Sequence, residues 1–296
     1  MLAYLVALLI VMGIYALLTI SLDLQYGFTG LVNFGLVGFF SIGAYASALV
    51  TLAGHPMPLG FAAAMLASGL AALPIGALAL RLRDDYFAIV SLGFSEIVRL
   101  VVLNEEWLTK GGLGLTGVPR PFTRFGVGGS ELAYLALVAA CLAAVVLVVR
   151  RVTGSPFGRL IQAIRDNEVA VISLGKSPPA AKVKALVLGA AIAGLAGALY
   201  AHYITYVVPD QFLPLVTFYV WMAMILGGLG SLRGALAGAG VLVLILEGTR
   251  FVRDLVPGVG AVQMASVRLA LVGLLLVVFV LFRPQGAFGN PARTWR

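Results

Sequence analysis

Long apolar runs follow one another from end to end of this chain, and they decide what it can fold into. Segments of spanning length cover 3–22, 30–53, 58–81, 86–103, 131–150, 183–208, 215–232, 234–252 and 264–282. A helix needs about 20 apolar residues to cross the hydrocarbon core of a bilayer. Only 11% of the residues are charged, and the mean hydropathy is +1.06. This is the pattern of an all-α, polytopic helical bundle of about nine spans. The bounds are eight and ten, because 30–53 and 215–252 are rich in glycine and admit broken or re-entrant helices. The stretches between spans reach only about 30 residues, too short to bury a core of their own. Residues 1–296 are therefore expected to form a single membrane-embedded domain.

Charge fixes the expected orientation. Seven of the 20 Lys and Arg residues fall in one polar island: Arg150, Arg151, Arg159, Arg165, Lys176, Lys182 and Lys184. Basic loops stay on the cytoplasmic side. With 151–182 inside, the turn at 81–85, the Arg233 turn and the C-terminal tail also fall inside, and 104–130 falls outside. Thirteen of the 20 basic residues are then cytoplasmic. The N-terminus lies outside and the C-terminus inside. Residues 1–22 start apolar with no basic n-region, so they are expected to be a retained helix and not a cleaved signal. The net charge of +8 follows from this bias. Nucleic acid is not expected as a partner, since no basic, aromatic-interleaved soluble module is present.

Catalytic and cofactor chemistry finds little footing. Cys141 is the only cysteine and His55 and His202 the only histidines, so no thiol cluster or metal-ligand set stands out. No cofactor and no metal are expected, and the chain is not read as an enzyme. Gly175-Lys176-Ser177 ends like a phosphate-binding loop. It lacks the earlier glycine, having Ala170 there, and runs at once into Pro178-Pro179 instead of opening a helix. Gly112-Leu113-Gly114-Leu115-Thr116-Gly117 matches G-x-G-x-x-G but opens no helix either.

The island itself carries structure. Ser155-Pro156 is a helix start, a capping Ser with Pro in the first helical position. Phe157, Leu160, Ile161 and Ile164 then form a helical stripe, with Arg159, Gln162, Arg165, Asp166 and Asn167 off it. Val169, Val171 and Ile172 follow before Gly175, which suits a helix C-cap. The segment is an amphipathic helix or helix pair. From the residues alone, a helix lying on lipid headgroups and a helix docking a protein fit equally well.

Ser155-Pro156-Phe157-Gly158-Arg159, Ala163 through Ala170, and Leu174-Gly175 resemble the cytoplasmic loop of the branched-chain amino acid ABC transporter permeases, the LivM/LivH-type family. Gly27 through Gly35 with Gly43-Ala44-Tyr45, and Asp85 through Phe94 with Glu96 to Arg99, resemble further signatures of that family. Gly194 through Tyr200, Gly227 through Ser231 with Gly234-Ala235, and Arg283-Pro284-Gln285-Gly286 complete the match and favour the M-type subunit. The chain departs from the pattern after Gly175, at Lys176-Ser177-Pro178-Pro179. The resemblance implies a permease subunit of an ATP-driven importer in the bacterial inner membrane, carrying branched-chain or related amino acids. It implies four kinds of neighbour: an H-type permease subunit, two ATP-binding subunits, a periplasmic substrate-binding protein, and membrane lipid. Residues 151–182 become the coupling loop, with Phe157, Gly158, Arg159, Ile164, Arg165, Asp166, Asn167, Glu168 and Gly175 at the ATPase contact. A urea or short-chain amide permease of the same family and an ion-coupled secondary carrier are the alternatives. The second would want an inverted repeat and a mid-membrane carboxylate.

Charges at membrane depth cost about 2.5–3.5 kcal/mol each on insertion scales, so they pair and face the protein interior. Glu96 with Arg99 and Glu247 with Arg250, each spaced i, i+3, are the expected pairs. Gly230, Gly234 and Gly238, and Gly189, Ala193 and Gly197, recur every fourth residue and let helices approach closely. A zwitterion needs some polar lining on its way. Asn33, Ser41, Ser91, Ser95, Asn104 and Tyr200 are the candidates by polarity.

Overall fold

In a bilayer, apolar segments satisfy their backbone polar groups internally, which for a single segment means a helix. The computed structural model describes residues 2–79, 84–122 and 126–255, and beyond these only 270, 273–274, 277–278, 281–282 and 285–289. Residues 2, 79, 84, 126–127 and 249–255 are described as backbone only. The described helices are α1 (Leu2–Leu22), α2 (Leu36–Leu52), α3 (Met57–Ala79), α4 (Asp84–Asn104), the short α5 (Glu106–Thr109), α6 (Gly126–Gly154), α7 (Pro156–Asp166), α8 (Glu168–Ser173), α9 (Pro178–Ile204), α10 (Pro214–Gly227) and α11 (Leu232–Leu255).

Six helices among the described residues are long and apolar enough to cross a membrane: α1, α3, α4, α6, α9, and α10 with the turn before it. The chain is a polytopic helical bundle. Expected segment 264–282 lies almost wholly outside the described residues. Both glycine-rich segments are broken. Residues 28–35 run irregularly, so α2 starts only at Leu36 and holds 17 residues. The second break is Gly228–Ser231, between α10 and α11. Gly228 has φ +108° and Gly230 φ +69°, a region that glycine enters without a Cβ clash.

Helices α2, α3 and α9 pack mutually at the centre of the bundle. A Cβ on Gly43 would strike the Gly194 backbone, one on Gly194 the Ala64 carbonyl, and one on Gly197 the Phe40 carbonyl. These helices therefore meet backbone to backbone, as the four-residue spacing of small residues predicts. Helices α10 and α11 do the same through Gly227, Gly234 and Gly238. At the opposite end from the second break, a two-residue antiparallel pairing joins β1 (Leu115–Thr116) to β2 (Tyr206–Val207). His202, fully buried, bonds Ser47 Oγ at 2.9 Å and the Pro119 carbonyl at 2.8 Å. The 105–122 loop is thus clamped onto the end of α9, and His202 serves that clamp.

Gly194→Val is expected to destabilise the bundle by about 1–3 kcal/mol through overpacking. Gly93→Ala, on α4 with nothing within 4 Å of the added carbon, is expected to be neutral or mildly stabilising. Thermal unfolding of the two variants in detergent checks the contrast.

Candidate functional site

The island folds as a helix pair hinged at Asn167. Helix α6 runs on through Arg150 and Arg151 to Gly154, and α9 begins at Pro178, so the stretch between these two long helices is 155–177, inside the expected 151–182. Ser155 caps α7, its Oγ accepting from Gly158 N at 3.2 Å. Gly158 sits where a Cβ would strike the Val152 and Thr153 carbonyls, which lets α7 turn tightly off α6. Asn167 is extended (φ −160°, ψ 97°) and caps α8, its Oδ1 accepting from Ala170 N at 3.0 Å. Gly175 takes φ +72° beyond the end of α8. A helix does follow Gly175-Lys176-Ser177, contrary to expectation. Its first two residues are prolines without N–H groups, so it offers a phosphate few of the donors such a loop needs.

The stripe on α7 faces the protein. Ile161 and Ile164 are buried, and Phe157 and Leu160 half-buried, against the transmembrane core. Helix α8 turns only Val171 to that core. Val169, Ile172 and Leu174 are 73%, 56% and 79% exposed, beside exposed Arg159, Asp166 and Asn167. Lys182, buried on α9, holds the start of α8 by a 2.9 Å contact from Nζ to Glu168 Oε2. The pair therefore divides its labour: α7 is anchored and α8 presents a free, mixed apolar and charged surface.

Arg165 turns inward. Its Nη1 donates to the Gly27 carbonyl, and its stem packs on Gly30. Gly27 closes a π-helical turn, Asp23–Gly27, that ends α1. This turn is a buried polar hub. Asp23 Oδ1 accepts from Gly230 N at 2.7 Å, which ties α1 to the break between α10 and α11. Ser21 Oγ donates to the Gly189 carbonyl of α9 at 2.7 Å. Gln25 Oε1 accepts from Asn33 Nδ2 at 2.6 Å. Asp23 Oδ2 is buried without a hydrogen bond, and the guanidinium of Arg165 stands within electrostatic reach of that carboxylate. Removing one partner of a buried charge is costly, so Arg165 and the hub depend on each other. Asp23 and Gln25 were missed in sequence. The available signal was that Asp23 is the first charged residue of the chain, directly between an apolar run and the Gly27–Gly30 stretch.

The polar candidates for a pathway are distributed unevenly. Asn33 is fully buried; its Oδ1 accepts from Gly35 N at 2.7 Å, and its carbonyl accepts from Trp221 Nε1 at 3.0 Å. Ser91 accepts from Phe34 N at 2.9 Å, and Ser95 donates to the Leu92 carbonyl at 2.7 Å. Asn104 is exposed and donates to the Leu100 carbonyl at 2.7 Å. Ser41 Oγ is buried without a hydrogen-bond partner. Tyr200 alone of these six lines the cavity of about 440 Å³ between α1, α9, α10 and α11. Arg99 Nε donates to both Glu96 oxygens at 3.0 Å within α4. The Arg250 side chain lies outside the described residues; Glu247 Oε2 accepts from Tyr4 OH at 3.4 Å.

Residues 4–280 match a family model described as the permease component of the branched-chain amino acid transport system. The chain is 35% identical over 301 aligned residues to the high-affinity branched-chain amino acid transport system permease protein LivM of Escherichia coli (strain K12), covering 92% of this chain and 67% of that protein. The LivM protein of Salmonella typhimurium (strain LT2) matches with the same identity and coverage. The probable branched-chain amino acid transport permease protein LivM of Methanocaldococcus jannaschii is 28% identical over 270 residues, with 79% of this chain and 77% of that protein covered. No solved structure matches the chain.

Asp23→Ala leaves Gly230 N without its acceptor and is expected to cost about 1–3 kcal/mol, lowering the unfolding midpoint in detergent. Arg165→Ala should free α7 and speed proteolysis within 155–177. Arg159→Ala, at an exposed position, should leave that rate unchanged, and equal rates in the two variants would show that Arg165 is no anchor.

Proposed function

This chain belongs to the branched-chain amino acid transport permease family and is of the LivM type, and on that premise we propose that it is one permease subunit of an ATP-driven importer. The whole chain acts as one transmembrane domain, with 155–177 as its coupling element. A second permease subunit completes the path, two ATP-binding subunits press on the cytoplasmic side, and a substrate-binding protein delivers a branched-chain or related amino acid from outside. Neither ATP hydrolysis nor any other catalysis is carried by this chain.

The supporting observation is the opposite exposure of the two island helices. Docking α8 into a groove of the ATPase would bury Val169, Ile172 and Leu174, at about 1.5–3 kcal/mol for a fully buried side chain. Force applied there passes through the Asn167 hinge to α7, and from Arg165 to the π-turn of α1. From Asp23 it reaches the Gly228–Ser231 break. Both glycine breaks meet at this hub, so a displacement of α7 moves the inner ends of α1, α2, α10 and α11 together. That is the kind of two-position element that alternating access requires. Arg165 serves here as an internal strut, and Arg159 remains on the docking surface.

The double variant Val169→Asp, Leu174→Asp should abolish co-purification with the ATP-binding subunits and reduce ATP-dependent leucine uptake into proteoliposomes at least ~100-fold, the loss of about 3 kcal/mol of docking energy. The variant chain should still extract from membranes as a folded protein. Full uptake by the double variant would remove α8 from the interface, and uptake by this chain alone without ATP would remove the importer reading altogether.

A further inference from the structure

Helix α4 leaves one side open along most of its length. Ile89, Ile97 and Leu100 are exposed, the first two by 69% and 61%. Gly93 is exposed between them, with nothing within 4 Å of an added Cβ. Positions 89, 93, 97 and 100 share one helical face. Other spans also show an apolar side. On α3 it includes Leu59, Leu66, Leu70 and Leu73, and α3 carries no charge at all, so that side suits hydrocarbon.

The α4 side does not suit it. Glu96 lies next to Ile97, its side chain 39% exposed, paired with Arg99, whose side chain is 18% exposed. In the other five described spans every Asp, Glu, Lys and Arg stands within six positions of an end, whereas Glu96 stands eight from Asn104 and eleven from Asp85. At about 1.5 Å per residue those separations are about 12 and 17 Å, against about 15 Å to the middle of the hydrocarbon core. An ion pair at that depth is costly against lipid, and such groups face protein or enclosed water. Arg99 is also within electrostatic reach of Asp210, which is exposed in the turn Pro209–Phe212 packed on α4. Two carboxylates around one guanidinium leave this patch with one negative charge in excess.

We infer that the exposed side of α4 is the surface on which the second permease subunit packs. Ile89, Gly93 and Ile97 receive a transmembrane helix of that subunit, and Gly93 lets the two backbones approach closely. The excess negative charge calls for a basic or hydrogen-bond-donating side chain on that helix, opposite Glu96. The joint between the two subunits thus lies at α4, and α3 is left to lipid. The inference rests on the importer reading for the existence of the second subunit and deepens it by naming the surface that meets it.

The test uses the complete assembly in its membrane. The photo-crosslinking residue p-benzoylphenylalanine replaces Ile89, Ile97, Leu66 or Leu70, one at a time. On illumination, positions 89 and 97 should join to the second permease subunit and positions 66 and 70 to lipid, with the adducts identified by mass spectrometry. Adducts from 89 and 97 only to lipid, or only to residues 256–296 of this same chain, overturn the assignment. A second arm reads assembly. Gly93→Leu should cut co-purification of the second permease subunit at least about tenfold and leave the unfolding midpoint of the chain in detergent unchanged. Leu66→Trp, on α3, should co-purify as the parent does. Equal co-purification by the Gly93→Leu variant and the parent also overturns the assignment. A parent chain that captures no second permease subunit removes the importer reading and this surface with it, so the two failures are distinct.

Discussion

The hydrogen bond that the Asp23 carboxylate accepts from Gly230 N is the contact on which the island half of this bundle depends. A lone carboxylate in a dry interior is costly, and here one of its oxygens has no hydrogen bond. The surrounding structure follows from containing that cost. The end of α1 widens into a π-turn that holds the side chain inward, Gly27 leaves room for it, and Arg165 brings a positive charge up from the loop. Asn33, Gln25, Ser21 and Gly189 complete the network, so two irregular backbone stretches at membrane depth are satisfied by protein groups. This is the condition under which such stretches are tolerated.

The two ends of the molecule use polarity differently. At the island end, the buried polar atoms mostly bond one another and bind helices into a unit. At the other end, hydroxyls and a carboxylate line an open space, and Arg120 Nε and Nη2 lack hydrogen bonds. Between them, α2, α3 and α9 meet backbone to backbone. Beside this centre α10 and α11 pack on α1, and the Asp23–Gly230 hydrogen bond ties the break between them to it.

Much of this was legible in the residues. Hydropathy placed the described spanning helices, and glycine content marked both broken segments. The Ser155-Pro156 start and the α7 stripe were visible as capping and periodicity. What could not be seen was which face of the island the core would take. The stripe is equally suited to lipid, to a partner or to the bundle, and only packing shows that α7 is claimed by the bundle while α8 is not. Arg165 was legible as a charge but not as an inward strut, because its partner is a backbone carbonyl 138 residues away. Polarity alone also failed to rank Asn33, Ser91 and Tyr200, since hydrogen bonds to remote backbone groups leave no local pattern.

Those long separations bear on how the chain is made. The polar groups of the π-turn emerge with the first helix, but Arg165, Gly189 and Gly230 follow only 138, 168 and 207 residues later. Chains grow from the N-terminus at about 5–20 residues per second, so the turn waits seconds to tens of seconds for its partners. During that interval the Asp23 carboxylate lacks Gly230 N, whereas the Gln25 amide already has Ser21 and Asn33 within reach. A chain cut short before residue 230 never obtains the Asp23 contact that joins the first helix to the tenth and eleventh.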